Sequence, residues 1–202
     1  RLSASTALAG FAAGIFIIGA VFSRPVCGKW IHHLGQTRLL YVGVVLSLGL
    51  TLAYFVADSI TLLLVIRFFH GMAFGAAHVA AGTIVAGVIP KERYGEGIGY
   101  YTLSQILGNA LAPFVALLLI RHTSFETVIT AAAVALGIGL VIIPFLSVKD
   151  MELTAEQVQE TRGFKLRSFI EPGAVPIALV AMVLYLCFTS ILSFLALYSE
   201  EI

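Results

Sequence analysis

Polar residues in this chain are confined to a few short breaks, and between them apolar residues run on without the two-residue alternation of a half-buried strand. Six such runs cover about residues 5–22, 39–56, 60–89, 97–120, 125–145 and 174–197. About 20 apolar residues at ~1.5 Å rise cross the ~30 Å hydrocarbon core of a bilayer, so each run reads as a spanning helix. The fold class expected is all-α: a polytopic transmembrane helix bundle with six spans. Its first partner is the lipid bilayer.

Composition agrees, with 59% hydrophobic residues, 11% charged and a mean hydropathy of +1.01. The net charge of +1 conceals an asymmetry. Arg24, Lys29, Arg38, Lys91, Arg93, Lys149, Arg162, Lys165 and Arg167 fall in alternate connections, and Arg1 and Arg121 fall in the others. Basic residues in short loops stay on the cytoplasmic side. The connections at 28–38, 90–96 and 148–172 are therefore read as cytoplasmic, and those at 57–59, 121–124 and 200–201 as external. No basic cluster points to nucleic acid. Residues 1–5 lack the charged start of a cleavable signal peptide, and the first run leads into a basic segment. Cys27 and Cys187 sit at different depths and are read as small apolar fillers rather than a disulfide.

The segment Gly28-Lys29-Trp30-Ile31-His32-His33-Leu34-Gly35-Gln36-Thr37-Arg38-Leu39-Leu40 separates the first two runs. It resembles the loop between the second and third helices of the major facilitator superfamily of transporters, Gly-x-Leu-x-Asp-Arg-x-Gly-Arg-Lys-x-x-Leu. Gly28, Gly35 and Leu40 match, and Trp30 stands for the first leucine. His32 replaces the family's Asp, while His33 and Thr37 replace basic residues. The resemblance implies that the chain corresponds to helices two to seven of a twelve-helix carrier. Residues 1–147 would then belong to the first half, 148–172 to the cytoplasmic link between halves, and 173–202 to the seventh helix. The remaining helices of the carrier would be partners.

Arg67 is the most costly side chain in any run, because a guanidinium in hydrocarbon costs at least ~2.5 kcal/mol. Phe74 and His78 lie within about 20° of it around a helix, and His70 within about 60°. Two readings stand: a polar face on a wet cavity, or snorkelling to the outer interface about 10 Å away. Arg67-Phe68-Phe69-His70-Gly71 resembles the superfamily's fourth-helix motif, Arg-x-x-Gln-Gly, with His70 in place of Gln. In proton-coupled relatives that Arg takes part in coupling, which the resemblance implies for Arg67. His70 and His78 read either as helix-to-helix hydrogen bonders or as groups that handle substrate or protons. Their separation of about 12 Å along a helix makes a poor metal pair, and no metal or cofactor is expected.

Ile89 through Tyr100 resembles the superfamily's inner loop between helices four and five. Glu96 reads as a first-turn carboxylate favoured by the helix dipole, or as a partner for Arg38 across the inner face. The gating segment expected on the cytoplasmic side is thus Gly28, His32, Gly35, Arg38 and Glu96. In the fourth run, Gly108-Asn109-Ala110-Leu111-Ala112-Pro113 is similar to the antiporter motif Gly-x-x-x-Gly-Pro-x-x-Gly-Gly. Gly108, Ala112 and Pro113 fit it, and Ala116-Leu117 replaces the closing pair. Small residues at this spacing are expected to let helices pack closely, as at Gly10 and Gly14 in the first run.

Tyr101 and Gln105 share one face with Gly108 and Ala112, and Tyr185 and Thr189 are four apart in the last run. All four are expected to line a cavity. Gly137, Gly139 and Pro144 lie in a fifth run without ionisable residues beyond Thr127, read as a lipid-facing support. The polar link combines Glu152, Glu156 and Glu160 with Phe164, Lys165, Leu166 and Arg167, and reads as a solvated linker or a short interfacial segment.

A membrane enzyme or scaffold protein is the alternative of a different class; it would need a convergent catalytic or metal cluster, and no Ser/His/Asp arrangement or metal spacing supplies one. The resemblance implies a secondary transporter working by alternating access, with proton-coupled efflux of a small amphipathic molecule. A proton-coupled metabolite importer is the other possibility within the fold. Small-molecule substrate and protons are its expected partners, and the bacterial inner membrane its expected location.

Overall fold

The computed structural model describes residues 6–146, 148 and 172–201. They form six α-helices: α1 (Thr6–Leu34), α2 (Gln36–Ala53), α3 (Ile60–Val88), α4 (Tyr94–His122), α5 (Phe125–Ile142) and α6 (Val175–Glu201). Short 3-10 turns at Tyr54–Val56, Lys91–Arg93 and Ile143–Phe145 close or open three of them. Five stretches among the described residues are long and apolar enough to cross a membrane, and α6 adds an apolar stretch at Val175–Ser190. The chain divides into two compact units, one holding α1 to α5 and the other α6. Most of the link at 148–172 lies outside the described residues, including the segment around Phe164, Lys165, Leu166 and Arg167.

One boundary differs sharply from the hydrophobic pattern. The first apolar run ends near Phe22, yet α1 continues to Leu34. Arg24, Gly28, Lys29, Trp30, His32 and His33 are therefore residues of its last turns rather than of a loop. Pro25 sits inside this helix without ending it. Polar residues are no obstacle to a helix once it leaves the hydrocarbon, because its backbone bonds close internally whatever surrounds them. The link to α2 is one residue, Gly35, at φ 79° and ψ 149°. That conformation is close to one reserved for glycine, since a Cβ clashes there. Gly35 N–H reaches the Ile31 carbonyl at 3.0 Å, and Leu39 N–H reaches the Gly35 carbonyl at 3.1 Å, so neither helix end is left open.

Within the first unit α3 is the centre, packed along α1 on one side and α2 on the other, while α2 also meets α5. Glycine sets these distances. A Cβ at Gly71 would collide with the Phe16 carbonyl, at Gly19 with the Phe68 carbonyl, and at Gly75 with the Ser23 hydroxyl. On the other side a Cβ at Gly43 would stand 2.8 Å from the Ala77 nitrogen. Residue pairs 16–71 and 20–75 rise together, so α1 and α3 are parallel; pairs 43–77 and 54–70 run oppositely, so α2 is antiparallel to α3.

At one end of this trio Cys27, Ile31, Leu39 and Ala80 form the buried core, with Ala80 fully enclosed. Buried hydroxyls bond within their own helices: Ser23 to the Ala20 carbonyl at 3.0 Å and Thr51 to the Ser47 carbonyl at 2.8 Å. This meets their hydrogen-bonding need without water. Ser59 opens α3 by accepting from the Leu62 N–H at 3.2 Å. Elsewhere large apolar side chains are widely exposed, as the lipid-facing surface of a membrane bundle requires.

Among the described residues the close approaches fall at other small residues. A Cβ placed at Gly10 or Gly14 would have nothing within 4 Å, whereas Gly71 and Gly75, also four apart, are the pair that packs. No residue of α4 is buried, and Gly108 has open space where its Cβ would be. We therefore expect Gly71→Ala to destabilise the purified full-length protein in detergent by about 1–3 kcal/mol, as overpacking does. Gly35→Ala should cost a similar ~1–3 kcal/mol, through backbone strain rather than packing.

Candidate functional site

Arg67 falls two turns into α3, on the side facing α1. Close packing at Gly71 brings the α1 backbone within reach, and Arg67 Nε donates to the Ala12 carbonyl at 2.5 Å. That carbonyl lies inside α1 and its second lone pair is available to the guanidinium. The Arg67 Cζ also stands 5.8 Å from the centroid of the Phe16 ring, within the range of cation–π attraction. The guanidinium is turned across the bundle and tied to a neighbouring helix, rather than extended along its own helix toward the Ile60 end.

His70, one turn further, is hydrogen-bonded to the Tyr54 hydroxyl through Nδ1 at 3.1 Å. Tyr54 begins the 3-10 turn that closes α2, so the bond fixes the end of α2 against the middle of α3. The Phe16 ring meets His70 edge-on at 5.4 Å and Phe74 at 5.5 Å. His78 stacks on Phe74 at 5.7 Å with ring planes 20° apart. Arg67, His70, Phe74 and His78 are thus brought together as their helical spacing implies. Phe16 and Tyr54 join them from other helices, and the sequence pattern singles out neither. Nothing local marks them, because each is an ordinary aromatic residue on an apolar helix until the fold supplies its neighbours.

The other candidates sit apart from this cluster. Tyr101 is half-buried on α4 with its hydroxyl 3.9 Å from where a Cβ of Gly82 would be, so it faces α3. Gln105 is half-buried one turn on, whereas Ala112 and Pro113 are exposed and Pro113 leaves α4 continuous. In the second unit the Thr189 hydroxyl donates to the Tyr185 carbonyl at 2.7 Å, within α6.

At the other end of the first unit, Glu96 pairs with Arg93 of the preceding turn, at 2.7 and 2.8 Å, and accepts from the Tyr100 hydroxyl at 3.3 Å. The alternative pairing with Arg38 is not the one formed. A carboxylate at this helix start is met first by the cation three residues away, which needs no long-range approach. Gly28 and His32 lie on α1, Gly35 is the turn, and Arg38 is exposed in the first turn of α2.

Helices of this length and apolarity, connected by short turns, define a multi-pass integral membrane protein. The pattern of the Major Facilitator Superfamily matches residues 1–202, and the chain belongs to that family. It is similar to MFS-type transporter oryF of Aspergillus oryzae, 33% identical over 116 residues that make up 56% of this chain and 24% of the relative. MFS transporter L2 of a Phoma species is 25% identical over 71% of the chain and 24% of its own length. The putative metabolite transport protein YfiG of Bacillus subtilis is 25% identical over 71% of the chain and 32% of its own length. The chain thus spans about a quarter to a third of the relatives it matches. No solved structure matches it.

The cluster generates its own test. Tyr54→Phe removes the hydroxyl from His70 and should lower the stability of the full-length protein by about 1 kcal/mol, the usual worth of one hydrogen bond. Glu96→Gln, at an exposed pair, should leave the thermal midpoint where it is. Differential scanning fluorimetry of both variants measures the contrast.

Proposed function

We propose that this chain is part of a secondary active transporter that moves a small amphipathic molecule by alternating access, with a proton gradient driving efflux. The observation that carries the reading is Arg67: a permanent charge at membrane depth, turned inward and held by a backbone carbonyl among half-buried polar rings. Such a residue is retained where a polar passage uses it. A fixed cation there makes the energy of any proton or cargo bound beside it depend on that charge. Membership of the superfamily, and relatives named as transporters from fungi and a bacterium, support the same reading. The short connections favour a bacterial inner membrane.

A proton-coupled metabolite importer is the second reading, favoured by Ala116-Leu117 where the antiporter motif closes with two glycines. Proteoliposomes holding the full-length protein separate the two. Under an imposed proton gradient, a fluorescent amphipathic compound should move against the proton flow; movement with it supports import. Arg67→Ala should cut coupled transport by about tenfold or more, the kinetic equivalent of one charge-assisted hydrogen bond. Unchanged coupling in that variant would overturn the role given to Arg67.

A further inference from the structure

The rings of His78, Phe74, Phe16, His70 and Tyr54 form one continuous run, with successive centroids 5.4 to 5.7 Å apart. Three parts of the fold contribute to it: α1, α3 and the turn closing α2. Phe74 is the middle residue of the 29-residue α3 and is 47% exposed, so the run opens outward at Phe74 while its other four rings are half-buried. Arg67 stands over the Phe16 ring, the third of the five. Its bond to Ala12 uses the Nε–H, and the guanidinium carries four further N–H groups on its terminal nitrogens.

Two features of this face select a ligand. Exposed ring faces and edges at stacking distance accept another planar ring. The guanidinium attracts a carboxylate, which it can meet through two parallel N–H donors, and repels an ammonium group in a medium where charges are weakly screened. Among the described side chains the carboxylates Asp58, Glu92, Glu96 and Glu126 all lie at helix ends or turns, away from this depth.

We infer that the face formed by Phe16, Phe74, His70 and Arg67 binds a planar aromatic anion, its ring against the aromatic run and its carboxylate toward Arg67. This deepens the transporter reading and rests on it. A neutral aromatic cargo, or another helix of the same protein covering the face, is the competing occupant.

The test uses the full-length protein in proteoliposomes and three probes that share one ring system: 1-naphthoate, 1-naphthamide and 1-naphthylmethylammonium. Equilibrium binding should favour naphthoate over the amide by about tenfold, with the ammonium compound weaker still, on the scale of one charge-assisted pair. Arg67→Gln should erase that order and Arg67→Lys should keep part of it. Phe74→Ala should weaken all three probes by a common factor of about ten, through the lost ring contact. If Arg67→Gln does not fold, the charge series on the unaltered protein and the Phe74→Ala variant still decide the matter. Ammonium binding equal to or better than naphthoate, or a preference that survives in Arg67→Gln, overturns the inference. So does the failure of all three probes to bind a protein that still transports the fluorescent compound, which would mean a covered face. Absence of both binding and transport would overturn the transporter reading as well.

Discussion

The absence of a side chain at position 71 sets the distance between α1 and α3, and most of what is distinctive in the bundle follows from that distance. A Cβ there would meet the Phe16 carbonyl, and at Gly75 it would meet the Ser23 hydroxyl. Within a bilayer, lipid tails are as apolar as any helix surface, so burial alone gives helices little reason to associate. Backbone approach, with the dispersion contacts and hydrogen bonds it permits, takes over that task. Here the approach also places the Ala12 carbonyl within one side-chain length of Arg67.

The same constraint governs the polar groups. Ser23 and Thr51 bond to their own helices, His70 finds Tyr54, and Arg67 finds a carbonyl and a ring face. Each partner is a neighbour that close packing already supplied. The result is a trio of helices held by a few specific contacts, with an aromatic run that is exposed at Phe74. The exposed α4 contrasts with it, since a Cβ at its Gly108 would find no neighbour within 4 Å and none of its residues is buried.

At the connection between α1 and α2 the superfamily resemblance and the structure agree on residues but not on their form. Gly28 to His33 are helical, and the turn is compressed into Gly35. Short-range sequence signals favour a loop wherever charges and glycines gather. A helix that is already nucleated continues through such a stretch at small cost per residue, until a residue such as glycine at positive φ allows the reversal.

Hydrophobic run length by itself determined the class of this protein, because only helices and closed barrels satisfy their backbone within a bilayer and a continuous run of about 20 apolar residues is the length of a spanning helix, about twice that of a barrel strand. The clustering of Arg67, His70, Phe74 and His78 on one face was equally legible, since helical periodicity is a local property. Which glycines pack was not. Gly10 and Gly14 have the same four-residue spacing as Gly71 and Gly75, and nothing within either helix distinguishes them. Tertiary structure alone decided that, by fixing which helix lies opposite each face, and by the same act it brought Phe16 and Tyr54 from distant parts of the chain to Arg67 and His70.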